Sequence, residues 1–263
     1  MDLNLKNRIL TSVILITLVV VCAFNYWTAG FLIILFISLG LYEFFKMLEN
    51  KGIKPFKLFG MVVGILIPLS ILLKVKITRE LQFLFVILAL LLLFILQFLR
   101  RSNEDAVVGI SVTIFGILFI CWCLSFLIRI YRDFGPLHLL SLIFITKIGD
   151  TFSYFSGRFF GKHLLIRRIS PQKTWEGSIG GFCGCLVSSL LVREILKLSL
   201  LKSLALGMTI GVLAQLGDLC ESLVKRDCRV KDSSNILPGL GGVLDILDSI
   251  IFVSPAFYCF FKI

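Results

Sequence analysis

Six of the chain's 16 acidic residues fall in one stretch, GDLCESLVKRDCRVKDSSNILPGLGGVLDILDS, residues 217–249. They are Asp218, Glu221, Asp227, Asp232, Asp245 and Asp248. Acids three apart on a helix share a face, which pairs Asp218 with Glu221 and Asp245 with Asp248. Carboxylates held that close repel and weaken the fold unless a cation joins them, and Mg2+ takes oxygen ligands together with water and substrate phosphates. Lys225, Arg226, Arg229 and Lys231 lie between the two pairs and supply charges that neutralise phosphate oxygens. A solvated mixed-charge loop also fits the middle of this stretch. It does not explain Asp245 and Asp248, which stand at the head of a segment that then turns wholly apolar, where a carboxylate costs about 2.5–3.5 kcal/mol at a helix centre.

A second group lies upstream in GDTFSYFSGRFFGKHLLIRRISPQKTWEGSIGG, residues 149–181. Asp150 precedes Gly157 and Gly161, and the run Ser170-Pro171-Gln172-Lys173-Thr174-Trp175-Glu176-Gly177 places a lysine and two hydroxyls before a glycine-rich helix start. Charge and helix dipole suit that position to a phosphate. A plain turn, with Thr174 as N-cap and Glu176 in the first helical turn, is the alternative reading of the same residues. His138 and His163 are isolated from the acids in sequence and are left out of the site.

These groups must be positioned by membrane helices. Hydrophobic residues make up 58% of the 263 and the mean hydropathy is +0.99, far above soluble domains. The fold class expected is an all-α, polytopic integral membrane protein. Apolar runs place about nine spans near 9–24, 29–45, 58–73, 82–99, 106–128, 135–149, 177–192, 199–217 and 243–261. Residues 1–135 read as a transmembrane scaffold and 136–263 as a catalytic region with polar loops at 147–176 and 218–242. The first span follows Lys6 and Arg8 directly and reads as a retained helix.

With the N-terminus inside, most basic residues, including Lys46 to Lys57, Arg100, Arg101 and those of the two long loops, share one face. The positive-inside rule then puts both loops in the cytoplasm. The net charge of +11 comes with no nucleic-acid motif, so anionic lipid, not nucleic acid, is the expected surface partner. Of eight cysteines, six lie in apolar spans and no C-x-x-C pair occurs, which disfavours zinc and disulfide roles.

At the two polar stretches the chain resembles the phosphatidate cytidylyltransferase (CDP-diacylglycerol synthase) family. Its signature S-x-x-K-R-x4-K-D, a small residue two on, then P-x-H-G-G-x-x-D-R-x-D, is met by Ser222, Lys225, Arg226, Lys231, Asp232, Ser234, Pro238, Gly241, Gly242, Asp245 and Asp248. The family's S-P-x-K-T-x-E-G run is met by Ser170, Pro171, Lys173, Thr174, Glu176 and Gly177. Leu240 replaces the family's histidine and Ile246 its arginine, removing one polar group each.

The resemblance implies transfer of CMP from CTP to phosphatidic acid, giving CDP-diacylglycerol and pyrophosphate. Mg2+ is the implied cofactor, with room for a second cation. Asp218, Asp245 and Asp248 are the implied metal ligands and, with Lys225 and Arg226, the implied catalytic set. Ser170, Lys173, Thr174, Lys231 and Asp232 are the implied substrate contacts, with Lys173, Lys225, Arg226 and Lys231 on phosphates. The implied location is a bacterial cytoplasmic (inner) membrane, with membrane lipids as partners and a homodimer left open. A CDP-alcohol phosphotransferase is disfavoured because its D-G-x2-A-R-x8-G-x3-D-x3-D motif is absent. A polytopic cation or phosphate transporter is the alternative from another class, and the scarcity of acids in the first six spans speaks against it.

Overall fold

The computed structural model describes residues 3–76, 78–100 and 102–262, with side chains described except at 3–8 and 79. Arg101 and the side chains of Lys6 and Arg8, used above for orientation, lie outside the described residues. The helices are α1 (Leu3–Cys22), α2 (Tyr26–Asn50), α3 (Lys57–Leu72), α4 (Arg79–Phe98), α5 (Ala106–Phe134), α6 (Pro136–Phe160), α7 (Trp175–Leu191), α8 (Leu200–Asp227) and α9 (Val243–Lys262). Between α6 and α7 stands an antiparallel hairpin, β1 (Leu164–Ile166) and β2 (Ser170–Thr174). The architecture is an all-α membrane protein carrying this small hairpin. Among the described residues, five helices are long and apolar enough to cross a membrane: α2, α5, α8, α9 and the Glu80–Phe98 part of α4. Ile9–Cys22 and Lys57–Leu72 are apolar and shorter.

The core is organised on α2. Its buried residues Ile33, Ile37, Leu41, Phe44, Phe45 and Leu48 recur at helical spacing, and they meet α3, α5 and α9. Lipid tails are as apolar as these side chains, so close packing rather than transfer from water must hold membrane helices together. The sequence supplies notches for it. A Cβ placed on Gly60, Gly64 or Gly116 would lie 2.5–2.7 Å from Phe45, Leu41 or Phe44 respectively. Helix α5 relaxes through one π-helical stretch, Ile117–Trp122, midway along its length. By contrast α4 exposes most of its apolar side chains, as a lipid-facing helix does.

Several expected boundaries need correction. Residues 147–160, expected in a loop, continue α6, and 218–227 continue α8. Both extensions are polar turns of otherwise apolar helices, so hydropathy stops while helical propensity does not. The rest of the first loop folds as the β1–β2 hairpin, with Trp175 N–H donating to the His163 carbonyl at 2.9 Å to close its base. Helix α5 also runs to Phe134, past the expected end at 128.

Candidate active site

Helices α6 and α7 approach closely enough that glycine is required at the seam: a Cβ on Gly177 would lie 3.2 Å from Gly157 Cα and 3.0 Å from the Ser153 carbonyl. Between α6, the hairpin, α7 and α8 this leaves a cavity of about 570 Å3. Asp150, Ser153, Tyr154, Ser170, Gln172, Lys173, Thr174, Gln215 and Asp218 line it.

Four of the site residues predicted from sequence are therefore gathered on one cavity: Ser170, Lys173, Thr174 and Asp218. Lys173 Nζ lies 2.5 Å from Asp218 Oδ2, and Ser222 Oγ donates to Asp218 Oδ1 at 3.3 Å. Thr174 is the N-cap of α7, its hydroxyl accepting the Gly177 N–H at 3.1 Å. Glu176 steadies the base of the hairpin: Oε1 lies 2.6 Å from His163 Nδ1 and Oε2 accepts the Lys162 and His163 N–H groups. These bonds favour the ionised form and hold the Glu176 carboxyl down at about 2.

Asp248 lies one turn along α9 from Asp245, buried to 9% exposure and within electrostatic reach of Asp218, Asp150, Glu221 and Lys147. Lys147 stands in α6 one turn before Asp150. Its ammonium donates to Asp150 Oδ2 (3.0 Å), the Ile246 carbonyl (2.8 Å) and Ser249 Oγ (3.0 Å). Ser249 also donates to Asp150 Oδ2 at 2.8 Å. Asp150, Lys147 and Ser249 thus tie α6 to α9 behind the cavity, and the sequence signal for them was an ionisable residue inside an apolar span.

Beside the cavity is a second polar group, a clasp around Lys225. The Lys225 ammonium lies between Glu221 Oε2 and Asp245 Oδ1, the latter at 2.6 Å. Asp245 Oδ2 accepts the Gly242 N–H at 2.7 Å, and both the N–H and the hydroxyl of Ser233 lie 2.9 Å away. Glu221 is fully buried against Lys225. One lysine therefore balances two carboxylates away from water, an arrangement that breaks badly if a partner is removed. Arg226 ties the loop to the hairpin, donating to the carbonyls of Ile169 and Val230, both at 3.2 Å. Lys231 and Asp232 are exposed on the loop beyond α8. The departures Leu240 and Ile246 flank this region; Leu240 sits in a turn between Gly239 (φ +81) and Gly241 (φ +92), left-handed conformations that suit glycine.

Among the described residues, no three His, Cys, Asp or Glu side chains are grouped tightly enough to enclose a metal ion. Mg2+ does not need such a cage, because it is ordinarily held by one or two carboxylates with substrate phosphates and water. The donors here suit it. Asp218 Oδ2 and Asp245 Oδ1 each already face an ammonium, and Asp248 lies in the same electrostatic group.

Comparison with known proteins places the whole chain. The Cytidylyltransferase family is matched over residues 6–263. A phosphatidate cytidylyltransferase of Thermotoga maritima is 32% identical over 99% of this chain and 97% of its own length. That of Bacillus subtilis is 31% identical over 97% of both chains. A chloroplastic phosphatidate cytidylyltransferase 4 of Arabidopsis thaliana is 44% identical over 43% of this chain and 29% of its own length. The cavity that sets Lys173 against Asp218 and the match across nearly every residue lead to one conclusion: the chain belongs to the cytidylyltransferase family.

Proposed function

We propose that the chain is a Mg2+-dependent phosphatidate cytidylyltransferase that works from the cytoplasmic side of a bacterial inner membrane. The observation that carries this reading is the Lys173–Asp218 pair on the wall of a cavity between membrane helices, in a chain similar over almost its full length to bacterial phosphatidate cytidylyltransferases. The reaction joins a phosphate oxygen of phosphatidic acid to the α-phosphorus of CTP and breaks the α–β bond, releasing pyrophosphate. A phosphate monoester carries about −1.5 to −2 charge near neutral pH, so the nucleophile forms without a general base. The remaining task is to suppress repulsion between two anions and align them.

The chain's residues divide that task. Lys173 exchanges Asp218 for a phosphate oxygen, and Ser170 and Thr174 border the same wall. Arg226 from the end of α8 and Lys231 from the loop would meet the nucleotide phosphates, with Asp232 beside Lys231. Lys225 contributes its charge from within the clasp. Asp218, Asp245 and Asp248 would supply the carboxylates for Mg2+, which would neutralise charge on the phosphates and the leaving pyrophosphate. Asp245 is held in place by Lys225 at Oδ1 and by Ser233 and Gly242 at Oδ2. Arg167, Arg168 and Lys173 of the hairpin and Arg229 and Lys231 of the α8–α9 loop are basic, which supports their cytoplasmic placement.

The experiment is pyrophosphate release by purified protein in mixed micelles. Release from CTP only with both phosphatidic acid and Mg2+ supports the reading. Release without phosphatidic acid, or none, sinks it; ion uptake into liposomes instead would favour the transporter.

A further inference from the structure

We infer that Glu43, in the apolar helix α2, is the positioning residue for the carboxylates of α9. Glu43 is 1% exposed, and its carboxylate reaches across to the α8–α9 loop and the head of α9. Oε1 accepts the Ser234 hydroxyl at 2.5 Å and the Val243 N–H at 3.0 Å. Oε2 accepts the Ser233 hydroxyl at 2.9 Å and the Leu244 N–H at 2.8 Å. Two of the four donors are backbone N–H groups of the first turn of α9, groups without an intrahelical partner, at the end where the helix dipole favours an anion. An acid buried among apolar side chains is costly unless so fully bonded. It is retained here where it fixes one end of one helix.

That helix end carries the proposed metal ligands. Asp245 is its third residue and Asp248 follows one turn later, so any tilt or slide of the first turn displaces both. Ser233 links the two systems, with its hydroxyl 2.9 Å from Glu43 Oε2 and 2.9 Å from Asp245 Oδ2. The fit leaves no slack: a Cβ on Gly242 would lie 2.6 Å from Glu43 Oε2 and 2.0 Å from Ser233 Oγ. One turn earlier on α2, a Cβ on Gly40 would lie 3.9 Å from Leu244 Cα, so the two helices also meet through backbone. Glu43 touches no cavity-lining residue named above and acts through Val243, Leu244 and the serines. This role rests on the reading of α9 as the bearer of the metal-binding carboxylates.

The test compares Glu43→Gln with Glu49→Gln, which alters an exposed acid of the same helix paired with Lys57. Glutamine keeps the size of Glu43 but turns an NH2 group toward one backbone N–H donor and one serine hydroxyl. Hydrogen exchange of peptides covering 232–246, read by mass spectrometry, should quicken about tenfold or more in Glu43→Gln and stay at the wild-type rate in Glu49→Gln. Turnover per folded molecule should fall about ten- to hundredfold, as for residues that orient metal ligands, with the Mg2+ activation midpoint raised and KM for CTP at saturating Mg2+ nearly unchanged. Unchanged exchange overturns the inference. So does faster exchange with wild-type turnover and Mg2+ midpoint. If Glu43→Gln is not recovered folded, Ser234→Ala, which removes one of the four donors, takes its place: a smaller loss with the same raised midpoint is expected, and wild-type values in all three measurements overturn the inference. An inactive wild type would refute the functional reading alone, and the exchange measurement would still decide whether Glu43 anchors α9.

Discussion

Lys173 Nζ and Asp218 Oδ2 are 2.5 Å apart, joining the hairpin strand β2 to helix α8 at the cavity wall. The pair is partly exposed, at 26% and 34% of the side chains, so water and ligands can reach it. On the proposed function, the Lys173 ammonium would give way to a metal ion at Asp218, and the Asp218 carboxylate to a phosphate at Lys173.

Lys173→Ala is therefore expected to lower turnover by roughly 10²- to 10³-fold, the range for loss of one preorganised charge stabiliser. Lys54→Ala, in the turn between α2 and α3, should leave it within about twofold. Equal losses at comparable protein levels would remove Lys173 from the phosphate site.

Asp218→Asn and Asp248→Asn should each raise the Mg2+ concentration needed for half-maximal activity by at least about tenfold. Asp245→Asn should abolish turnover per folded molecule. Asp227→Asn breaks only an exposed ion pair with Lys51, of a kind worth about 0–1 kcal/mol, and should leave the Mg2+ requirement as it is. A Mg2+ titration of the four variants decides the assignment. A wild-type midpoint in Asp218→Asn would count directly against it.

The sequence made the membrane class legible, because apolar runs are local signals, and it located polar residues that the fold brings together. Ser170, Lys173, Thr174 and Asp218 do share one cavity. Glu43 was hidden for a physical reason: its partners Val243 and Leu244 lie at the other end of the chain, and a lone glutamate beside apolar residues gives no sign of which backbone it caps. Lys147 interrupts an apolar run, and nothing local to it shows that the helix continues as the polar end of α6 and carries it to Ser249 and the Ile246 carbonyl. The hairpin was missed since its strands, three and five residues long, are too short to show a period.

Lys225 should matter for stability as well as turnover. Lys225→Met leaves Glu221 and Asp245 facing each other without a cation and should destabilise the protein by about 3–5 kcal/mol. Adding Glu221→Gln should restore much of that loss. Thermal unfolding in detergent would show it, and no recovery in the double variant would argue that Lys225 acts outside the clasp.

Leu240→His restores the family's usual residue in the turn between Gly239 and Gly241. General acid–base catalysis is worth about 10²- to 10⁴-fold, whereas an ionised nucleophile and a metal-bound leaving group need no proton transfer. The change in turnover should stay below about tenfold, with an unaltered pH profile. A hundredfold gain would mean that the histidine supplies a proton and that this chain works without it at reduced rate.

The most direct measurement follows the label of CTP through the reaction with phosphatidic acid and Mg2+. With the label on the α-phosphorus, radioactivity should pass into the lipid phase as CDP-diacylglycerol; with the label on the γ-phosphorus, it should stay in water as pyrophosphate. Label from the γ-phosphorus in the lipid, or no transfer from either position by folded protein, would contradict the account.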